Sequence, residues 1–293
     1  MRSTRQHLSL IPVSVLCLVV MGLPLSAGAD RGTCSPRSSF DINLSSRPPG
    51  TEYTDSVMAY EPAQRAIILW NGNEEILALS TDLSYRSPGV LTEVIPLPAQ
   101  PVARVAHLEL FSTLASIFER HRGLSTEWQP SAPEGVLSNL RVDQVTAVTQ
   151  NSPGSSGKAF DPYSAIRPIL SRYQARGIGW LVFDDIEIRD YVQSFPPVEY
   201  RFRSDKVYYP LEISTMDHGE TRVDLFVITT DKLTSFSQTD YPVQQLASFP
   251  MDSAELKRLS PDWSTFMGSK SVVVQHLRMV GDIRKMTKDF TAR

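Results

Sequence analysis

Asn71-Gly72 divides two apolar runs, and that arrangement limits what the chain can fold into more than any other. Before it, Arg65-Ala66-Ile67-Ile68-Leu69-Trp70 is apolar at both alternating sets of positions apart from Arg65. That is the pattern of a strand covered on both faces, and β-branched and aromatic side chains suit a pleated surface. After it, Glu75-Ile76-Leu77-Ala78-Leu79-Ser80 has the character of the returning partner. Asn-Gly best tolerates positive φ at both corners of a tight turn, so the sequence predicts a hairpin whose first strand is central in a sheet. Residues 90–96 form a further extended run. Pro96-Leu97-Pro98-Ala99-Gln100-Pro101 then fixes φ repeatedly and lacks three amide donors, which ends the ladder. Its PxxP-like spacing also suits an aromatic groove on a partner, but a stiff exit from the sheet accounts for it.

At the start of the chain, Arg2 and Arg5 precede an apolar run over residues 8–25, and Ala27-Gly28-Ala29 supplies the small-x-small pattern of a signal-peptidase site. Pro12, Ser14, Gly22 and Pro24 interrupt the run, which favours a cleaved signal peptide, residues 1–29 with cleavage after Ala29, over an uncleaved membrane anchor. Neither Cys17 nor Cys34 has the small-residue context of a lipoprotein box. Export as a soluble protein is the expectation. The net charge of −3 becomes more negative once Arg2 and Arg5 leave, which argues against nucleic acid as a partner. Cys34 is the one cysteine after cleavage, so an internal disulfide and cysteine-built zinc sites are excluded from the mature chain.

Residues 30–60 are rich in Ser, Pro and Arg with little periodicity and read as an irregular surface lead-in. From residue 107 to 122 the period changes: Leu108, Phe111, Leu114, Ala115 and Phe118 share a face at helical steps, with Gly123 as the stop. Residues 140–149 suggest a strand, and Asn151-Ser152-Pro153-Gly154-Ser155-Ser156-Gly157-Lys158 reads as a solvated linker. That linker lacks the spacing of a phosphate-binding loop, with Ser152 and Ala159 at required positions, and the spacing of a nucleophile elbow. Ile166, Ile169, Leu170 and Tyr173 mark a second helix with Pro168 in its first turn and Gly177 after it. Strands are expected over residues 179–183 and 186–188. A second hairpin is expected from residues 198–203 and 207–214 about Ser204-Asp205-Lys206, and another strand over 223–230. Two hairpins, each near a helix, would suit an internal repeat. Asp252 with Glu255 begins a short helix through Leu259, residues 271–280 return to strand character, and residues 282–293 suit a short docked helix.

Several of these segments resemble a known family. Gln64-Arg65-Ala66-Ile67-Ile68-Leu69-Trp70-Asn71-Gly72 with Glu75, Ile95-Pro96-Leu97-Pro98 with Pro101-Val102, and Leu110-Phe111 with Leu114 are similar to the opening of domain-of-unknown-function family 2330, secreted bacterial proteins. Ile169-Leu170-Ser171-Arg172-Tyr173 before Gly177 and Trp180, Pro197 to Phe202, Tyr209-Pro210-Leu211-Glu212-Ile213-Ser214 and Met286-Thr287-Lys288-Asp289-Phe290 resemble its later blocks in the same order. Cys34-Ser35 stands where the family usually has Cys-Gly, and residues 140–161 match poorly. The resemblance implies export and a bacterial origin. It brings no established activity and no catalytic residue.

The histidines of the mature chain, His107, His121, His218 and His276, lack the spacing of a zinc helix. His107 and His121 lie at helix ends, and His276 in a strand, where packing or solvation is the ordinary role. His218 sits in a turn beside Asp217 and Glu220, which makes it the candidate general base. Asp184, Asp185, Glu187 and Asp190 form an acidic cluster and the candidate calcium ligands, without EF-hand spacing. The sequence thus predicts an α+β fold, mainly antiparallel sheet with two or three covering helices. Residues 61–293 make it up, as one domain or as two halves joined near residues 150–160. The expected function is a non-enzymatic extracytoplasmic binding or envelope-associated role, secreted or periplasmic. It needs no cofactor, has an unknown ligand or envelope protein as partner, and has no membrane span after signal cleavage. The alternative is an extracytoplasmic hydrolase whose Ser, His and acid meet only in the fold.

Overall fold

A computed structural model describes residues 35–36, 64–84, 89–106, 109–122, 136–144, 167–188, 192–194, 197–216, 220–236 and 241–293. Among them the fold is α+β, and its main sheet is built outward from the strand that the sequence marked as central. That strand, β2 (Gln64–Trp70), pairs antiparallel with β3 (Glu74–Ser84) and parallel with β11 (Glu220–Thr229). Beyond β11 lie β13 (Val272–Asp282) and β12 (Gln244–Met251); beyond β3 lie β9 (Val198–Arg203) and β5 (Val102–Val105). The order across the sheet is β12-β13-β11-β2-β3-β9-β5, with the short β8 (Val192–Ser194) pairing the far end of β3. Of the pairings in this sheet, β2 with β11 is parallel and the rest are antiparallel.

Both faces of the sheet are covered, as the unbroken apolar run of β2 requires. On one face Ile67, Leu69, Phe226, Ile228 and Val274 meet three helices: α1 (Glu109–Arg122) through Leu110, Leu114 and Phe118, and two later ones through Leu256 and Trp263. α3 (Ser253–Leu259) begins as expected, with Asp252 Oδ1 accepting from the Glu255 amide at 2.7 Å. α4 (Pro261–Phe266) was not anticipated: Pro261 opens it rather than following the last helix, with the Ser260 hydroxyl capping the Trp263 amide. On the other face Ala66, Ile68, Leu77, Leu225 and Leu277 pack with Ile95, Leu97 and Val182 from a second sheet. That sheet has the order β1-β4-β7-β6, from β1 (Ser35–Pro36), β4 (Gly89–Leu97), β7 (Trp180–Ile188) and β6 (Val136–Gln144). Pro96 lies inside β4 without breaking a ladder, because among the described residues β1 pairs only with Leu91 and Thr92, and no strand meets that side of β4 at Pro96, whose carbonyl accepts from the Tyr208 hydroxyl at 3.2 Å.

Several expectations change. The turn corners of the first hairpin are Gly72 and Asn73, since the Asn71 amide donates to the Glu74 carbonyl and Gly72 alone of the loop has positive φ, +100°. Asn71 instead braces the loop, its Oδ1 accepting from the amides of Asn73 and Glu74. The strand placed at residues 140–149 is β6, which starts earlier, at Val136, and ends at Gln144. The second hairpin does not form. β10 (Val207–Tyr209) leaves β9 at the Ser204 turn and pairs with β14 (Phe290–Ala292), and its continuation is a 3-10 turn over Glu212–Met216. Glu75 helps to draw β10 away, because its buried carboxylate accepts the Tyr208 amide at 2.7 Å. With no second hairpin the repeat has no basis. Nor do the last residues form a helix: a 3-10 turn at Ile283–Lys285 leads to β14, and Ile283, Met286 and Phe290 are buried. The second helix, α2 (Arg167–Ala175), has Pro168 in its first turn as expected. It stops in a Schellman arrangement with Gly177 at φ +79°, the Ile178 amide donating to the Tyr173 carbonyl. The linker at residues 151–158 and the lead-in's residues 37–60 lie outside the described residues.

Candidate functional site

The prolines at 98 and 101 carry the chain out of β4 and onto the rim of the main sheet, where among the described residues β5 lies beside β9 alone. Residues paired across β5 and β9 share a face, so Val102 and Arg104 stand with Arg201 and Glu199 on the side of α4. Glu199 is buried and fully engaged. One oxygen accepts from Arg104 Nε at 2.6 Å, the other from the indole nitrogen of Trp263 at 2.8 Å. Arg104 also reaches Asp262 of α4 at 2.6 Å, so one guanidinium ties strand edge to helix. Bonding to Asp262, and then to Glu199, raises its pKa still further against the opposing pull of partial burial. Arg201 pairs with Glu74 at 2.6 Å and holds its guanidinium 5.2 Å from the Phe266 ring centroid. The Asn71 side-chain amide donates to the Phe266 carbonyl at 3.3 Å, which fixes the first hairpin turn against the end of α4.

These residues enclose two open clefts. One, of about 460 Å³, is bounded by Ile76, Val102, Arg104, Glu199 and Phe266. The other, of about 520 Å³, is bounded by Glu74, Ala99, Gln100 and Arg203, and Val102 and Arg201 border both. Val102 is 73% exposed and Val105 63%, large apolar side chains left in solvent at a sheet edge. A shallow surface of this kind, with apolar patches, arginines and an open strand, can hold a ligand. Its carboxylates Glu74, Glu199 and Asp262 are each paired with an arginine.

A second constellation is buried. Asp289 accepts from the Tyr173 hydroxyl at 2.8 Å, the Glu212 amide at 3.0 Å and, more weakly, the Tyr208 hydroxyl at 3.4 Å. Arg176 pairs with both Asp289 and Glu212, and Arg172 meets Glu212 at 2.6 Å. Burial pushes Asp289 up to about 6, against the lowering pull of the Glu212 amide, Arg176 and Tyr173. Burial, with Asp289 next, also raises the phenols of Tyr173 and Tyr208. Residues 169–173, 209–214 and 286–290 converge here, binding α2, the 3-10 turn and the C-terminal strand together. A third group joins Asp224 to His276 Nε2 at 2.7 Å and to Arg278 Nε at 2.8 Å, with Arg222 at 3.1 Å. His276 is buried and stacked on Phe226, and no hydroxyl or thiol bonds its ring among the described residues.

The sequence-predicted candidates lie apart from these groups. Asp184, Asp185 and Glu187 are in β7, opposite Glu93, Thr92 and Val90. Asp190, His107 and His218 lie outside the described residues, among which no group of three His, Cys, Asp or Glu side chains is placed to hold a metal ion. His121 stacks on Phe249, ring centroids 4.0 Å apart. Sequence reading missed Arg104, Glu199 and Trp263. The signal for Glu199 was there, as a charged residue in the alternating run 198–203, but the helix that buries it was not.

No family model and no curated protein matches the chain. Among solved structures, the crystal structure of baculovirus P35 matches with 8% identity and a TM-score of 0.43, over 82% of this chain and 98% of that one. A mutated baculovirus P35 after caspase cleavage matches with 8% identity and a TM-score of 0.38, over 78% and 99%. Likenesses this slight carry nothing about what this chain does. Among the described residues no helix is long and apolar enough to cross a membrane.

Proposed function

We propose that this chain is a non-enzymatic extracytoplasmic binding or envelope-associated protein, and that it binds along β5 beside α4. The observation that carries the reading is the position of Val102: mostly exposed, on an edge strand, between two clefts of about 460 and 520 Å³. The extracytoplasmic assignment rests on the leader at residues 1–29 and on the resemblance to family 2330. Intact mass of the protein from its native envelope checks the leader, since retention of residues 1–29 would sink export as a soluble protein in favour of a membrane-tethered one.

The binding reading is tested by thermal shift of the mature chain against metals, envelope saccharides, peptides and small organic acids. A ligand at about 100 times its Kd that binds only the folded state stabilises it by roughly 2.7 kcal/mol. The expected result is a shift that Val102→Glu, a change at an exposed position, abolishes. A ligand whose shift survives Val102→Glu would place binding elsewhere. The hydrolase alternative draws on the Asp224–His276 pair. Labelling by a serine-directed probe, lost in His218→Ala or His276→Ala, would replace the binding reading with it.

A further inference from the structure

The hydrogen-bonding phase of β5 decides which of its backbone groups are free. Ala106 donates its amide to the Pro197 carbonyl at 2.7 Å, so residues 102 and 104 also direct their N–H and C=O groups at β9. The Ser204 amide bonds the Asn73 carbonyl at 3.0 Å on the far side of β9, which fixes the same alternation there. The N–H and C=O groups of Ala103 and Val105 therefore point outward, and among the described residues none of them has a partner.

Sheet edges are commonly blunted by charges, prolines or bulges. Here the one charged side chain of β5, Arg104, is folded back onto Glu199 and Asp262, while Val102 and Val105 stand in solvent. Resting on the binding reading above, we infer that the ligand is an extended polypeptide segment from another protein, which joins the main sheet as a strand beside β5. Outward amides and carbonyls at alternate residues match another extended backbone and little else. Ligand residues opposite Val102 and Arg104 turn toward α4, where Ile76, Val102 and Phe266 offer an apolar floor between charged rims. Those opposite Ala103 and Val105 fall on the other face, beside the exposed Val105. A segment with apolar, β-branched or aromatic residues at alternate positions fits both faces.

A second copy of this chain fits less well. The antiparallel register that uses Ala103 and Val105 on both strands sets Arg104 directly opposite its counterpart, in the pair type where side chains come closest.

The experiment is to pan a random peptide display library against the mature chain and measure the enriched peptides by fluorescence anisotropy. Enriched sequences should alternate apolar residues and lose at least ten-fold in affinity on Ala103→Pro, which removes an outward N–H without touching a bond to β9. N-methylation at alternate peptide residues should abolish binding, and at the intervening residues should not. If Ala103→Pro melts well below the parent, the N-methyl scan decides alone. Failure to enrich any peptide, or equal affinity for parent and Ala103→Pro with no N-methyl alternation, overturns the inference. A dimer of the parent that Ala103→Pro dissolves overturns it in favour of self-pairing. Small-molecule shifts that still depend on Val102 would leave the binding reading standing without it.

Discussion

Trp263 donates its indole N–H to Glu199 at 2.8 Å, and this bond, between residues 64 apart in the chain, is the buried one of those that seat α4 on the main sheet beside β5. Both residues are buried, so neither can turn to water if the other is lost. Trp263→Phe is expected to cost about 1–3 kcal/mol for the acceptor left short of a donor. Glu199→Ala should cost more, because it strips the buried indole of its acceptor and also ends the bond from Arg104, which is half-exposed and keeps Asp262. Urea unfolding of both variants measures the difference. Near-equal losses would mean that packing of the ring, not the bond, holds α4.

Asp289 sets a pH dependence of unusual direction. Its pKa rises from the ordinary 3.8 to about 6 on folding, so the protonated form suits the folded state better. The stability it contributes is full below the unfolded value and is lost as pH rises through about 6, on the order of 3 kcal/mol in all. Asp289→Asn should therefore flatten the rise in stability that the parent shows as pH falls from about 7 to 5. Chemical denaturation at a series of pH values tests it.

Asp224 works the other way. Burial alone would raise its pKa, but the bonds from His276 and Arg278 outweigh it and hold the carboxyl below the ordinary value. Its stabilisation is present above the unfolded value of about 3.9 and disappears as pH falls through the lower folded one. Asp224→Asn is expected to cost about 2–4 kcal/mol at neutral pH and to remove part of the acid limb of the stability curve. The same denaturation series reads both Asp residues, with opposite slopes.

Gly281 lies against the ring of Tyr241, where an added Cβ would come 2.8 Å from Cε1. Tyr241 is held there, since its hydroxyl donates to the Asp282 carbonyl. Gly281→Ala should cost about 1–3 kcal/mol by overpacking. Gly281 also has φ +157°, which strains any side chain there, so in a Tyr241→Ala background only the overpacking part of that cost should vanish, a coupling that a double-mutant cycle measures.

How much of this was legible follows from how local each pattern is. The first hairpin and α1 were, since alternation and helical spacing are written within a few neighbouring residues, as was the Asp252 cap. The pairing of β10 with β14 was not. Residues 207–214 have the composition of a hairpin partner, and it is the pairing with β14 and the buried carboxyl of Glu75, 133 residues from Tyr208, that take the strand elsewhere. The site was less legible still. Arg104 and Glu199 read as ordinary rim charges until Trp263, in a helix that the sequence reading ended at Pro261, closes over them. Asp289 sits in a mixed-charge stretch that looks solvated, and its burial depends on α2 and the 3-10 turn arriving from far upstream.

The place of β2 also sets the order in which the chain can fold. Its first neighbour, β3, follows at once and a hairpin of this size closes within microseconds. Its other neighbour, β11, begins only at Glu220, and that parallel pairing must close a loop of most of the chain before it is rewarded. Until then the hairpin carries its most apolar strand at an unprotected rim, where a nascent chain is open to misassociation. The last partners of the sheet, β12 and β13, come later still. Folding is thus paced by distant segments, and a truncation that spares β2 and β3 but removes β11 leaves β2 with no strand along that side.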